Sequence, residues 1–490
     1  MDMCRDFERS LEAESEAGFD VESGAGFEAG FDAGFEFRGR RVLVCGMARS
    51  GQAAALALVR LGAVVTATDT KSEIVWDYDP AAHGIVTRLG EAPTGFVTDF
   101  EIVVISPGIS VYTDFVQKAT ESGIPVWGEA ELAYRLCPCD MIAITGTNGK
   151  TTVTTLVGEI LSRAGSATSV QNINFSGEVH VAGNIGVPLT SLVETIAPGD
   201  LVVAEISSFQ LETIAAFRPK IAAVLNITED HLDRHLTMEN YIAAKKRIFE
   251  NIGKNEICVL NYDNSVTKLL NSRGKNLFFS MNEEVDVFVR DGKIFSTVNE
   301  NREVFVAELS ETKVLPENAL AATAIAHAAG APVKVIAEVL REFAGVEHRL
   351  EFVTEIGGVK FYNDSKATNP DAAVKALEFF SPPVILIAGG SDKDANFEHW
   401  VKRFREKVTY AILIGETADE IARQCDAQNF ASYIKVGSLE DAVRCAKEMA
   451  RPGDIVLLSP ACASFDMFKS FEDRGRKFKR LCTPSVQWTP

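Results

Sequence analysis

The sequence has no apolar run of the roughly eighteen residues that a membrane-spanning helix requires, and no C-x-x-C pair among its nine cysteines. The first absence excludes a helical membrane span. The second excludes a zinc-ligand spacing and a disulfide framework, only Cys137 and Cys139 being close in sequence, and a reducing cytoplasm is the compartment expected. Basic charge is also scarce: 49 Lys and Arg face 68 Asp and Glu, a formal net charge of −19. Phosphate backbones are gripped by Lys/Arg surfaces, so nucleic acid is excluded as the main partner. The N-terminus is acidic where an export signal is basic, which agrees with the compartment read from the cysteines.

Much of the negative charge is local. Residues 1–37 hold eleven Asp and Glu against Arg5 and Arg9, and they repeat Ala-Gly-Phe-acid four times, at 17–20, 25–28, 29–32 and 33–36. Such a stretch cannot bury enough apolar surface to offset its chain entropy and self-repulsion, so residues 1–38 are expected to form a disordered acidic tail. The remaining length suits about three α/β domains.

The first, 39–130, opens with an apolar strand at Arg41–Cys45, a turn at Gly46–Gly51, a helix and a second strand ending at Asp69. That is a Rossmann-like beginning, with Ala48 at the second glycine position of the usual fingerprint, so a nicotinamide dinucleotide is weakly supported and another nucleotide diphosphate remains open. The second, 131–346, contains the run Ile142-Ala-Ile-Thr-Gly-Thr-Asn-Gly-Lys-Thr-Thr152. A buried strand breaking into a glycine loop and then a helix presents backbone N–H groups and a helix N-terminus to an anion. Gly146, Thr147, Asn148, Gly149, Lys150, Thr151 and Thr152 therefore form a P-loop type cradle on a parallel or mixed sheet. Lys150 is placed to reach the β- and γ-phosphates of ATP, and Thr151 to offer its hydroxyl to Mg²⁺. Glu205 ends another strand and is the expected magnesium partner, while His231 stands in a polar turn after the strand Ala222–Ile227. The third, 347–490, reads as a second Rossmann-like domain, its strands ending at Gly389-Gly-Ser-Asp-Lys393 and Ser459-Pro-Ala-Cys-Ala-Ser-Phe465.

Taken in order, Thr145–Thr152, Ala182–Gly186, Glu205–Glu212, Asn226–Asp233, Tyr241–Lys245, His348–Glu351, Asn363–Asn369 and Leu458–Gly475 resemble the Mur ligases of bacterial peptidoglycan synthesis. The resemblance covers about residues 40–482 and is strongest to the branch that adds D-glutamate. It implies an ATP-dependent ligase that phosphorylates the alanyl carboxylate of UDP-N-acetylmuramoyl-L-alanine to an acyl phosphate, which the D-glutamate amine then attacks. It implies two Mg²⁺ ions, held by Thr151, Glu205, His231 and Lys245, the last as a lysine carbamylated by CO₂; Lys150, Glu205, His231 and Lys245 are the implied catalytic set. Asn318, Arg349 and Asp364 would join the cradle in holding ATP. Ser50, Asp69, Thr70, Ser106, Asn184 and His231 would serve the uridine nucleotide, and Lys366, Thr368, Lys393, Ser464 and Phe471 the D-glutamate. A monomer is expected. The related folylpolyglutamate synthase type shares the cradle and the lysine but should lack the nucleotide-binding first domain, and a regulatory NTPase would have no need of the full set of lysines and acids.

Overall fold

The computed structural model describes residues 37–165, 173, 175–193, 195–299, 302–312, 314–381, 384–391 and 395–483. The acidic repeats, the C-terminal residues after 483 and Lys393 lie outside the described residues. Phe37, which the sequence reading assigned to the tail, belongs to the packed region: it is fully buried, edge-on to Trp127 with ring centroids 6.1 Å apart. An aromatic ring beside a strand pair finds enough apolar surface to hold the chain there, whatever the charge upstream.

Three sheets follow one another along the chain. The first is all parallel, with β1 (Arg41–Cys45), β2 (Val64–Asp69), β3 (Val86–Leu89), β4 (Ile102–Ile105) and β5 (Val126–Gly128) in the order 3-2-1-4-5. The strand order reverses between β1 and β4, which opens a crevice at their carboxyl ends. The second sheet has nine strands: β6 (Asp140–Thr145), β7 (Val179–Gly183), β8 (Leu201–Glu205), β9 (Ile221–Val224), β10 (Ile257–Asn261), β11 (Lys275–Ser280), β12 (Val287–Arg290), β13 (Lys293–Ser296) and β14 (Val304–Glu308), in the order 14-13-12-11-10-9-6-8-7. It is parallel from β7 to β12 and antiparallel over the last two pairs. The third comprises β15 (Glu351–Ile356), β16 (Val359–Asn363), β17 (Val384–Ala388), β18 (Val408–Leu413), β19 (Tyr433–Lys435) and β20 (Ile455–Leu458), ordered 15-16-20-17-18-19, parallel except for the β15–β16 hairpin.

The central strands read as unbroken apolar runs because helices cover both faces. The helix Lys150–Ala164 lays Val153, Leu156, Val157, Ile160 and Leu161, each at most 1% exposed, on the sheet. Each such side chain contributes about 1.5–3 kcal/mol of burial. Against it packs the helix Pro316–Ala328, apolar around its whole circumference and buried from Asn318 onward.

The passage from the first sheet to the second is tied down by a carboxylate. Glu131, in the helix Glu129–Leu136 and 0% exposed, accepts the backbone N–H groups of Ala215 (2.8 Å), Ala216 (2.9 Å) and Phe217 (3.0 Å) and is paired with Arg135 at 2.7 Å. Glu131→Ala strands the buried Phe217 N–H and leaves the N–H groups of the exposed Ala215 and Ala216 to water, and a loss of about 2 kcal/mol in urea denaturation is expected; a loss under about 0.5 kcal/mol would show that the donors find other partners.

Candidate active site

β6 delivers the chain into Gly146–Gly149, and the helix begins at Lys150. Gly149 is left-handed (φ +83°), and a Cβ there would meet the Asn318 Oδ1 at 2.5 Å. The loop therefore needs glycine on two counts. Neighbouring strand ends stiffen it: the Asn148 N–H donates to the Asn226 Oδ1 (2.8 Å), the Asn226 amide returns a bond to the Asn148 carbonyl (3.1 Å), and the Thr147 N–H donates to the Asn226 carbonyl (2.9 Å). Thr147 Oγ1 lies 3.1 Å from the Tyr241 hydroxyl. Asn226 gave no signal of this role from sequence, since its partners lie 78 residues upstream.

Two lysines converge on this loop. Lys150 Nζ donates to the carbonyls of Gly146 (2.7 Å) and Thr147 (2.8 Å). Lys245 Nζ, in the helix Met238–Lys246, donates to the same Gly146 carbonyl at 2.9 Å. Lys245 is 1% exposed, whereas its neighbour Lys246 is partly exposed. Burial, and then the Lys150 charge, hold the Lys245 amine well below the usual lysine range. Burial also lowers Lys150, against the opposing pull of Glu205 and Asp230.

Glu205, at the end of β8 and 1% exposed, accepts the Thr151 hydroxyl on one oxygen (2.8 Å) and the Asn184 amide on the other (2.8 Å). Asn184 thus serves the carboxylate directly. A hydroxyl and a carboxylate side by side at a phosphate loop are hard oxygen donors and fit Mg²⁺. Thr152 is buried in the first helical turn. His231 lies in a strained turn with φ +56°, its Nε2 3.7 Å from Asp230 and its ring edge-on to Phe209 at 4.9 Å. Among the described residues, the one close trio of His, Cys, Asp or Glu ligand atoms is elsewhere, at Glu347, His348 and Glu351, where the Lys479 ammonium pairs with both glutamates.

The third sheet completes the site. Asn148, Gly149, Asn318, Arg349 and Asp364 line one narrow recess beside the loop. Asp364, fully buried after β16, faces Arg349 at 3.6 Å and accepts the Ser459 hydroxyl (2.9 Å). Burial pushes its carboxyl up to about 6 against the pull of Arg349. A larger cleft, about 760 Å³, joins Asp230 and His231 to Thr368, Asn369 and Ser391. Lys366 Nζ stands over the Phe471 ring at 5.1 Å, its pKa lowered chiefly by burial. Ser464 is 2% exposed, at the base of a segment whose Cys462 and Ala463 carbonyls are held by the buried Arg474. In the first domain, Ser106 donates to the Gly46 carbonyl at 2.6 Å, and Asp69 accepts the N–H groups of Met47 (2.7 Å) and Lys71 (2.9 Å). Ser50 lies in the first turn of the helix Arg49–Arg60 and Thr70 follows β2, so all four residues lie at the carboxyl ends of β1, β2 and β4.

A phosphate loop faced by a carboxylate, with α/β domains on either side, defines a three-domain nucleotide-binding protein. Family models described as the Mur ligase MurD-like N-terminal domain, the Mur ligase middle domain and the Mur ligase glutamate ligase domain match residues 40–128, 144–326 and 348–462. A UDP-N-acetylmuramoylalanine--D-glutamate ligase of Caldanaerobacter subterraneus subsp. tengcongensis is 47% identical over 459 residues, covering 91% of this chain and 98% of that one. The protein of the same name from Pelotomaculum thermopropionicum is 45% identical over 461 residues, with the same coverage. Among solved structures, a pseudomurein peptide ligase type C from Methanothermus fervidus superposes with a TM-score of 0.55 at 18% identity, over 86% of this chain and 97% of that one. The UDP-N-acetylmuramate-alanine ligase of Thermotoga maritima does so with a TM-score of 0.53 at 17% identity, over 90% and 98%. The chain belongs to the Mur ligase family. No helix among the described residues is long and apolar enough to cross a membrane.

Proposed function

We propose that this protein joins D-glutamate to UDP-N-acetylmuramoyl-L-alanine at the cost of ATP, in the making of peptidoglycan precursors. The observation that carries the reading is that relatives named for this activity match along 98% of their own length at 45–47% identity, so all three domains are matched together. A carboxylate is a poor electrophile toward an amine in water, and phosphorylating it supplies a leaving group. Positioning and charge neutralisation do most of that work.

Each residue has a task in this scheme. Lys150 exchanges two neutral carbonyl partners for the β- and γ-phosphates, while the amides of Gly146–Thr152 and the helix N-terminus receive the rest of the phosphate charge. Thr151 and Glu205 would hold one Mg²⁺, and His231 with carbamylated Lys245 a second. Bound magnesium would lessen the repulsion between the γ-phosphate and the incoming carboxylate. Asn318, Arg349 and Asp364 hold the nucleoside end of ATP, and Ser50, Asp69, Thr70 and Ser106 the uridine nucleotide, with Asn184 orienting Glu205. Lys366, Thr368, Ser464 and the backbone near Phe471, with Lys393, hold D-glutamate, whose charges are costly to desolvate unpaired. The domain limits proposed are 39–130, 131–346 and 347–490, with Phe37 packed on the first.

An acceptor panel tests the assignment. Phosphate release from Mg-ATP and UDP-N-acetylmuramoyl-L-alanine is expected with D-glutamate and not with L-glutamate, L-alanine or meso-diaminopimelate; release with one of the others would reassign the acceptor.

Asp364 brings a pH dependence. As the pH falls through about 6 its carboxyl takes up a proton and ceases to oppose Arg349, so the KM for ATP is expected to rise below that pH. Asp364→Asn should show a high KM with no such limb. Stability moves the other way: a carboxyl raised above its unfolded value binds its proton first in the folded state, so its contribution favours folding as the pH falls from 6 toward the ordinary carboxylate range. A wild-type KM that is flat from pH 7.5 to 5.5 would contradict the role given to Asp364.

A further inference from the structure

The short helical turn Leu232–His235 carries His231 at its head and is bracketed by two left-handed residues that are not glycine, His231 (φ +56°) and Leu236 (φ +69°). Such conformations are strained for a residue that carries a Cβ and persist where surrounding contacts over-determine them. The strongest of those contacts is one side chain. Arg234 Nη1 donates to the Pro107 carbonyl (2.8 Å), and Nη2 donates to the Ile109 carbonyl (2.8 Å) and the Glu212 carboxylate (2.6 Å). Its guanidinium lies over the Phe209 ring, 4.2 Å from the centroid, and Phe209 is the ring that meets His231 edge-on. The arginine side chain is 11% exposed and the Glu212 side chain 9%.

Pro107 and Ile109 follow Ser106, whose hydroxyl closes the first-domain turn at Gly46. Glu212 and Phe209 follow Glu205 on β8. One planar fork therefore addresses the loops after β4, β8 and β9 together, and two of its partners are 125 and 127 residues away in another domain. On the far side, Asp230 accepts the Asn369 amide of the third domain at 2.9 Å. The histidine turn is thus pinned from both flanking domains.

We propose that Arg234 is a positioning residue that couples the uridine-nucleotide crevice to the magnesium site, by fixing the His231 turn against the loop 106–109. The inference rests on the reading of His231 as a metal ligand in the ligase proposed above. An ammonium cannot replace the guanidinium: it carries the charge but reaches its acceptors from a point, not along a fork. Arg234→Lys leaves the charge in place and breaks the bridge.

Calorimetric binding reads the coupling without turnover. In the unsubstituted protein, Mg²⁺ with β,γ-imido-ATP is expected to tighten binding of UDP-N-acetylmuramoyl-L-alanine by about fivefold or more. In Arg234→Lys that factor should fall to about one, in a variant that still melts cooperatively. In turnover the same variant should lose kcat by about tenfold or more with little change in the KM for ATP, and Arg234→Ala should recover activity when guanidinium chloride is added at millimolar concentration. An unsubstituted protein without coupling, or Arg234→Lys with full coupling and full kcat, overturns the inference. Coupling that is present and lost as expected, in a protein with no D-glutamate-dependent turnover, upholds the inference and refutes the proposed reaction.

Discussion

Lys150→Ala is expected to lower D-glutamate-dependent phosphate release by about a thousandfold, equivalent to ~4 kcal/mol of transition-state stabilisation. The lysine is the first residue of the helix behind the cradle and is held by two carbonyls of its own loop, so it is already at the phosphates' side. Removing it takes away a charge-assisted donor where negative charge accumulates, and Lys245, which bonds the same Gly146 carbonyl, is drawn toward its neutral form by burial. The loop itself should survive, because its shape depends on Gly149 and on the Asn148–Asn226 pair. The check is steady-state phosphate release alongside a melting curve. A loss under tenfold with an unchanged melt would show that the loop amides suffice, and a collapsed melt would assign the lysine to folding.

Lys245→Ala is expected to cost a similar factor for a different reason. Two lysines sharing one carbonyl repel each other, and burial already drives the Lys245 amine toward its neutral form. A neutral amine adds to CO₂ to give a carbamate and a proton, converting a repelled cation into an anionic oxygen ligand beside Lys150. Short carboxylates such as formate or acetate should then partly restore Lys245→Ala, activity of the unsubstituted protein should fall in CO₂-depleted buffer and return with bicarbonate, and Lys246→Ala should stay within about twofold. Indifference to CO₂ together with failure of rescue would leave Lys245 as a structural amine.

The cradle was legible because its signal is local: an apolar strand, glycine and Gly-Lys-Thr within eleven residues. The choice of Lys245 over Lys246 came from the family spacing; the structure buries the first and leaves the second partly exposed. Asp364 and Arg349 were named from the family motifs, and the structure sets both in the recess beside the loop; the elevated carboxyl depends on complete burial after β16, which no local pattern reports. Asn184 was expected at the substrate and is engaged by Glu205, since the pairing of β7 with β8 brings the two strand ends together. Asn226 and Arg234 were missed because most of their partners are backbone groups far along the chain, and backbone groups have no sequence signature. Phe37 was assigned to the tail because composition averages over a window and overlooks one ring with a place to pack.

The central claim is an amide bond made at the expense of ATP, and product stoichiometry tests it most directly. With UDP-N-acetylmuramoyl-L-alanine, D-glutamate and Mg-ATP, chromatography and mass spectrometry are expected to show one ADP and one phosphate for each D-glutamate joined to the nucleotide substrate. ADP and phosphate formed without the joined product, or at the same rate when D-glutamate is omitted, would contradict it.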